Sequence, residues 1–164
     1  MLYEGSPKLV MLVGLPGSGK TTFRRHPSLQ DFIHLSTDDI VEAHARAQEK
    51  SYDDLWESNI KSATSAMMET YAMSVSRRRN ILIDRTNLTV KSRRRFISQL
   101  PKGYHKVAVF FEVDEGLRQQ RLAARVGKTV PASADADMRR NYVRPTEEEG
   151  FDKILDAADM EAFA

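Results

Sequence analysis

The chain has 164 residues, of which 41% are hydrophobic and 29% charged, with a net charge of +2 and no cysteine. That size and mix fit one globular domain, residues 1–164, with one substantial core. They exclude disulfides and thiolate zinc sites, and no apolar run reaches the roughly 18 residues of a membrane span.

The N-terminal MLYEGSPK has no basic start followed by an apolar segment, so no signal peptide and a cytoplasmic location are expected. Leu9–Val13 is a short apolar run that reads as a buried strand. It ends in Gly14-Leu15-Pro16-Gly17-Ser18-Gly19-Lys20-Thr21, which fits G-x-x-x-x-G-K-S/T at every fixed position. Glycines permit positive φ and close backbone approach, so successive N–H groups turn inward on a phosphate. Gly17, Ser18, Gly19, Lys20, Thr21 and Thr22 are the candidate nucleotide-binding residues. In such a loop the lysine meets the outer phosphates, and the hydroxyl at Thr21 is the candidate Mg²⁺ ligand. The helix opening at Thr21 aims the positive end of its dipole at the same anion. The motif therefore implies a bound nucleoside triphosphate, with ATP and Mg²⁺ expected, and leaves the acceptor open.

Phe32–Leu35 predicts a second strand, which delivers Ser36-Thr37-Asp38-Asp39 to the strand end where ligands of parallel sheets collect. A carboxylate there can accept the proton of an attacking hydroxyl, or its segment can simply cap the next helix. Ile40–Glu49 reads as helical. Ser51 and Asp53 mark another helix start, after which Trp56, Ile60, Ala63, Met67, Tyr71 and Val75 form one apolar stripe of a long helix. Ile81–Ile83 predicts a third strand, followed by Asp84-Arg85-Thr86-Asn87. This polar cluster suits Mg²⁺ or an acceptor, or else a turn capping the helix over Val90–Leu100. Val107–Val113 predicts a fourth strand. Asp114 caps a helix to Val126 whose Leu117, Arg121 and Arg125 share a stripe. Gly127-Lys128-Thr129-Val130-Pro131 is a break suited to a mobile lid, and a short helix over Ala134–Tyr142 follows. Phe151–Leu155 predicts an edge strand. The succession indicates an α/β P-loop fold: a mostly parallel sheet of four to five strands flanked by helices, with an arginine-bearing lid at about residues 121–140.

Charge is unevenly spread. Residues 145–164 carry a net −6, leaving +8 on the first 144, where arginines cluster at 77–79, 93–95 and 139–144. Such clusters either follow a phosphate backbone or form solvated helix faces. The four histidines show no zinc-ligand spacing.

In their order, the phosphate loop at 14–23, Asp38 at a strand end, the Asp84–Asn87 segment and Arg121-x-x-x-Arg125 followed by Val130-Pro131 resemble the polynucleotide kinase family. Tyr142, Pro145-Thr146 and Glu149-Gly150-Phe151 resemble its eukaryotic members. The resemblance implies an ATP-dependent kinase with a nucleic-acid partner, DNA or RNA, whose 5′-OH end is the acceptor. It makes Lys20, Asp38 and Arg125 catalytic, with Asp38 as general base, and Arg121 and Arg125 phosphate-gripping lid arginines. It puts Thr86 and Asn87 in the acceptor region, and with the polar cluster read above the candidate acceptor-binding residues are Asp38, Asp84, Arg85, Thr86 and Asn87. Two departures stand out: Ser36-Thr37 replaces the Asn-Arg of phage members, and Val41 stands where they carry an acceptor-holding arginine. Alternatives are a phage-type DNA kinase phosphorylating the hydroxymethyl group of 5-hydroxymethyluracil, a nucleoside or small-molecule kinase, or a non-catalytic ATP-dependent binding module.

Overall fold

The computed structural model describes residues 5–163, the last three as backbone only. Met1–Glu4, read above for a leader, and the Glu161 side chain of the acidic tail lie outside the described residues. The core is a five-stranded, wholly parallel sheet formed by β1 (Lys8–Gly14), β2 (Ile33–Leu35), β3 (Ile81–Asp84), β4 (His105–Phe111) and β5 (Lys153–Asp156), in the order β2-β3-β1-β4-β5. The central strand β1 pairs with both β3 and β4, Leu12 lying opposite Asp84 on one side and Val109 on the other. Its six residues from Leu9 are all buried, because helices cover both faces of such a sheet.

The helices are α1 (Lys20–Phe23), α2 (Thr37–Ala47), α3 (Tyr52–Ser76), α4 (Val90–Ile97), α5 (Glu115–Ala123) and α6 (Ala132–Asn141). Local chemistry sets their starts. Ser36 accepts the Asp39 N–H, so α2 opens three residues before the expected Ile40 and takes Asp38 and Asp39 into its first turn. Ser51 and Asp54 form a capping box that opens α3. Conversely, α5 stops at Ala123 rather than Val126, which leaves Arg125 beyond the helix with its N–H donating to Leu122 O.

The long helix α3 departs from its predicted stripe at the N-terminal end. Leu55, Ala63, Met67, Tyr71 and Ser74 are the buried positions, whereas Trp56 is 39% exposed. Val41 and Ala45 of α2 pack with Leu55 and Ala63, and Leu55 fills the place the stripe gave to Trp56. Tyr71 anchors the other end in the main core, its hydroxyl donating to Phe96 O and its ring edge-on to that of Phe96. Burial pushes the Tyr71 phenol above its ordinary range.

One arginine of each of two basic clusters or helices is structural. Arg93 is fully buried in α4, where it holds Glu149 and the carbonyls of Asn87 and Val143. It is thus neither a solvated helix face nor a phosphate-tracking residue. Arg118 of α5 is equally buried and binds both oxygens of Asp135 in α6.

Candidate functional site

The carboxyl ends of β1, β2 and β3 bring the candidate residues together. Gly14 closes β1 and donates its N–H to Thr86 O, which ties the phosphate loop to the segment after β3. Gly17 and Gly19 have φ of +80° and +104°. A Cβ at Gly14 would stand 2.7 Å from Ser18 Oγ and 2.9 Å from Phe111 Cβ, and one at Gly17 would meet Arg118 O at 3.1 Å. The loop therefore admits only glycine at these tight turns, the geometry that points backbone N–H groups inward on an anion.

Lys20 is folded into this loop. Its Nζ donates to Gly14 O (2.7 Å) and Leu15 O (2.8 Å). Burial pulls its pKa down to about 8, countered by the nearby Asp84 and Asp38 carboxylates and reinforced by Arg125 and Arg118. It is thus still mainly a cation at neutral pH. The charges of Asp38 and Arg125 both reach Lys20, although more than a hundred residues of chain separate Lys20 from Arg125. Thr21 and Thr22 are exposed in the first turn of α1. Mg²⁺ takes few protein ligands beside phosphate and water, so the Thr21 hydroxyl, with Asp84 near Lys20, is a chemically adequate share.

The loop is braced from α5. Arg118 donates to Pro16 O at 3.0 Å while gripping Asp135 and Glu115, and Arg121 donates to Gly17 O at 3.2 Å. Paired with Arg118, Glu115 is held down at about 2. Arg121 is thereby already at the loop.

Three carboxylates stand near the loop, but they are not equivalent. Arg24 of α1 bridges Asp39 (2.8 Å) and Asp84 (2.9 Å). Burial raises the Asp84 pKa, opposed by Arg24 and Lys20. Asp38 is free of Arg24. Its Oδ1 accepts from the Tyr52 hydroxyl at 2.9 Å, and its Oδ2 pairs with Lys128 Nζ at 3.0 Å. Lys128 also pairs with Glu42 at 2.6 Å and lies 4.6 Å from the centre of the Tyr52 ring. Burial depresses the Lys128 pKa, but Asp38 and Glu42 outweigh it and hold the ammonium above its ordinary value. Tyr52 is pushed well above the ordinary phenol range by burial and by Asp38.

The segment after α5 takes part in the same arrangement. Gly127 O accepts the Asp53 N–H at 3.0 Å, and the Thr129 N–H donates to Asp53 Oδ1 at 2.8 Å. The stretch after α5 is strapped to the start of α3, with Lys128 set on Asp38. Neither Lys128 nor Tyr52 has a sequence signal of its own. The pairs are partly exposed, so each contributes only ~0.2–1 kcal/mol. We therefore expect Lys128→Met to leave the unfolding midpoint nearly unchanged but to lower amide-exchange protection at Asp53 and Thr129 severalfold. Unaltered protection would mean that the strap does not depend on Lys128.

After β3 the four polar residues diverge. Asp84 is held by Arg24. Thr86 supplies the carbonyl bound by Gly14. Asn87 is buried at φ +49°, its amide donating to Leu12 O at 2.7 Å and its carbonyl held by Arg93. Its side chain is spent on joining this turn to β1, not directed at an acceptor. Arg85 is half-buried, and its guanidinium makes no hydrogen bond or ion pair among the described residues. Burial and the charge of Arg95 lower its pKa, while Asp38 acts in the other direction.

A glycine phosphate loop at the carboxyl ends of a parallel sheet, with its lysine turned into the loop, defines a P-loop kinase-like fold. P-loop kinases in general use ATP and Mg²⁺. Residues 9–145 match the family model described as an AAA domain (AAA_33), and the chain belongs to that family. Its fold is similar to that of a protein from Chloroflexus aurantiacus j-10-fl, with a TM-score of 0.67 and 19% identity over 96% of this chain and 92% of that one. It is also similar to a chain of the Pnkp1/Rnl/Hen1 RNA repair complex, with a TM-score of 0.62 and 25% identity over 85% of this chain. The match spans only 45% of that longer chain. Shikimate kinase from Acinetobacter baumannii, in complex with shikimate, has a TM-score of 0.56 and 19% identity over 93% of this chain and 84% of that one. Among the described residues, no helix is long and apolar enough to cross a membrane.

Proposed function

We propose that the protein is an ATP-dependent kinase acting on a hydroxyl of a nucleic acid, the 5′-OH end of DNA or RNA. The reading rests most on one observation: Arg85, a half-buried guanidinium with no carboxylate bound to it among the described residues, lies within the electrostatic reach of both Asp38 and Arg95. Its guanidinium nitrogens are open to solvent, so an anionic group of the acceptor can pair with them while presenting its hydroxyl to Asp38. Val41 is fully buried and carries no charge, so it cannot perform the acceptor-holding role of the phage kinases' arginine. Arg85, just after β3, and Arg95 in α4 offer a substitute. The likeness to a chain of an RNA repair complex is a further support.

In this reading Asp38 accepts the proton of the attacking hydroxyl, or orients it, with Tyr52 and Lys128 fixing the carboxylate. Lys20 and the loop N–H groups hold the phosphates, and Arg121 and Arg125 offset charge that develops in transfer. Bound Mg²⁺ would neutralise the outer phosphates. A transfer assay with labelled ATP tests the proposal. The acceptors are 5′-hydroxyl DNA and RNA oligonucleotides, oligonucleotides bearing hydroxymethyl pyrimidines, free nucleosides and shikimate. Label on the 5′ end is the expected result. Label on a base would favour the hydroxymethyl kinase, and label on small molecules alone would overturn a nucleic-acid acceptor.

A further inference from the structure

We infer that Trp56, backed by Tyr52, is a stacking subsite for the nucleobase of the acceptor's terminal nucleotide. The inference rests on the nucleic-acid reading above and specifies how the acceptor is held.

Trp56 is 39% exposed at the start of a helix whose buried positions are filled by other residues. A single exposed aromatic is ordinary on a protein surface. What distinguishes this one is its neighbour. The Tyr52 and Trp56 rings lie 5.2 Å apart, tilted by 33°. The hydroxyl of that same tyrosine donates to Asp38 at 2.9 Å. An indole is thus joined, through one side chain, to the carboxylate proposed as the base. In a nucleotide the base stands one sugar away from the 5′-OH. When the 5′-OH is at Asp38, a base on the α3 side meets this aromatic pair.

The surrounding charge fits the same occupant. Lys128 sits 4.6 Å from the centre of the Tyr52 ring, so a cation borders the aromatic surface where the sugar-phosphate chain would leave. Stacking on an aromatic face tolerates any base and is worth ~1–3 kcal/mol per base. Such a subsite would hold chain ends of any sequence. It offers less to an open-chain polyol, which presents no flat face to stack.

Trp56 is the sole tryptophan of the chain, so its emission reports this position alone. The experiment titrates the full chain, with a non-hydrolysable ATP analogue, against a single-stranded 5′-hydroxyl oligonucleotide and against the same strand with an abasic first residue. Saturable quenching by the first strand, and roughly tenfold weaker binding of the second, is expected. In steady-state transfer, Trp56→Ala should raise the acceptor KM roughly tenfold and leave the ATP KM in place, and Trp56→Phe should restore most of the loss. The unchanged ATP KM shows that the variant is folded. Transfer to oligonucleotides with unaltered emission at saturation, or an unaltered acceptor KM in Trp56→Ala, would overturn the subsite and leave the kinase reading intact. Failure of every oligonucleotide to bind or accept phosphate would overturn both.

Discussion

Asp38→Asn should lower phosphate transfer by a factor of about 10² to 10⁴, the range over which a positioned general base contributes, while ATP binds within about twofold of its original affinity. The expectation follows from how the three nearby carboxylates are employed. Arg24 holds both Asp39 and Asp84, so each already shares its oxygens with one bridging guanidinium. Asp38 is held by a neutral phenol and by an ammonium on a strap, and 47% of its side chain is open to solvent. A substrate hydroxyl can therefore reach it. The amide keeps an oxygen for Tyr52 and fills the same space. With a partly exposed ion pair at stake, the stability change should stay within ~1 kcal/mol. None of the loop contacts of Lys20, Arg118 or Arg121 involves Asp38. Its charge does act at Lys20, where it favours the ammonium, so any ATP effect should be a slight weakening that grows with pH near and above about 8. Single-turnover transfer with calorimetric ATP titration separates the two quantities. Undiminished transfer would move the base to another residue, and loss of ATP binding in step with transfer would make Asp38 part of the nucleotide site.

The sheet was readable because its signals are local. A phosphate loop demands a strand before it and a helix after it, and short apolar runs before polar clusters mark the other parallel strands. The order β2-β3-β1-β4-β5 is not a local property and came only with the pairing. The site divides in the same way. Lys20 and Asp38 stand at fixed places relative to a motif or a strand end. Arg118 and Arg93 carry no comparable mark. An arginine on a short polar helix looks solvated until a distant carboxylate is found for it: Asp135 is 17 residues from Arg118, and Glu149 is 56 from Arg93. The apolar stripe takes in Trp56 because a step of four residues is slightly longer than a helical turn. Leu55 and Trp56 are adjacent candidates for one core position, and the packing of α2 decides between them. The sequence places Lys128 in a break suited to a mobile lid. Its importance comes from the carboxylates it meets, which sit on α2, a part of the chain with which it shares no sequence pattern.

Arg93→Met should destabilise the fold by ~3–5 kcal/mol, the cost of leaving one member of a buried ion pair unpaired. Nε and Nη2 each lie 2.7 Å from a different oxygen of Glu149, and Nη1 donates at 2.9 Å to both Asn87 O and Val143 O. The Arg93 side chain is fully buried and that of Glu149 only 7% exposed, so little water can replace what is lost. Methionine fills much of the volume but leaves the Glu149 carboxylate only the Thr146 N–H and takes the guanidinium donor from two carbonyls at once. Against a total stability of ~5–15 kcal/mol for a domain of this kind, the variant should fold only marginally. The neighbouring Arg94 is exposed, and Arg94→Met should stay within ~0.5 kcal/mol. Urea denaturation of the two variants gives the comparison directly, and the double variant Arg93→Met with Glu149→Met should recover part of the loss by removing the stranded charge. A shift for Arg93→Met no larger than that for Arg94→Met would show that water or rearrangement satisfies Glu149. The consequence extends to the phosphate loop. Arg93 holds the carbonyl of Asn87, Asn87 donates to Leu12 O, and Leu12 lies two residues before Gly14 in β1. At temperatures where the variant is still folded, its ATP affinity should therefore fall as well, whereas that of Arg94→Met should not.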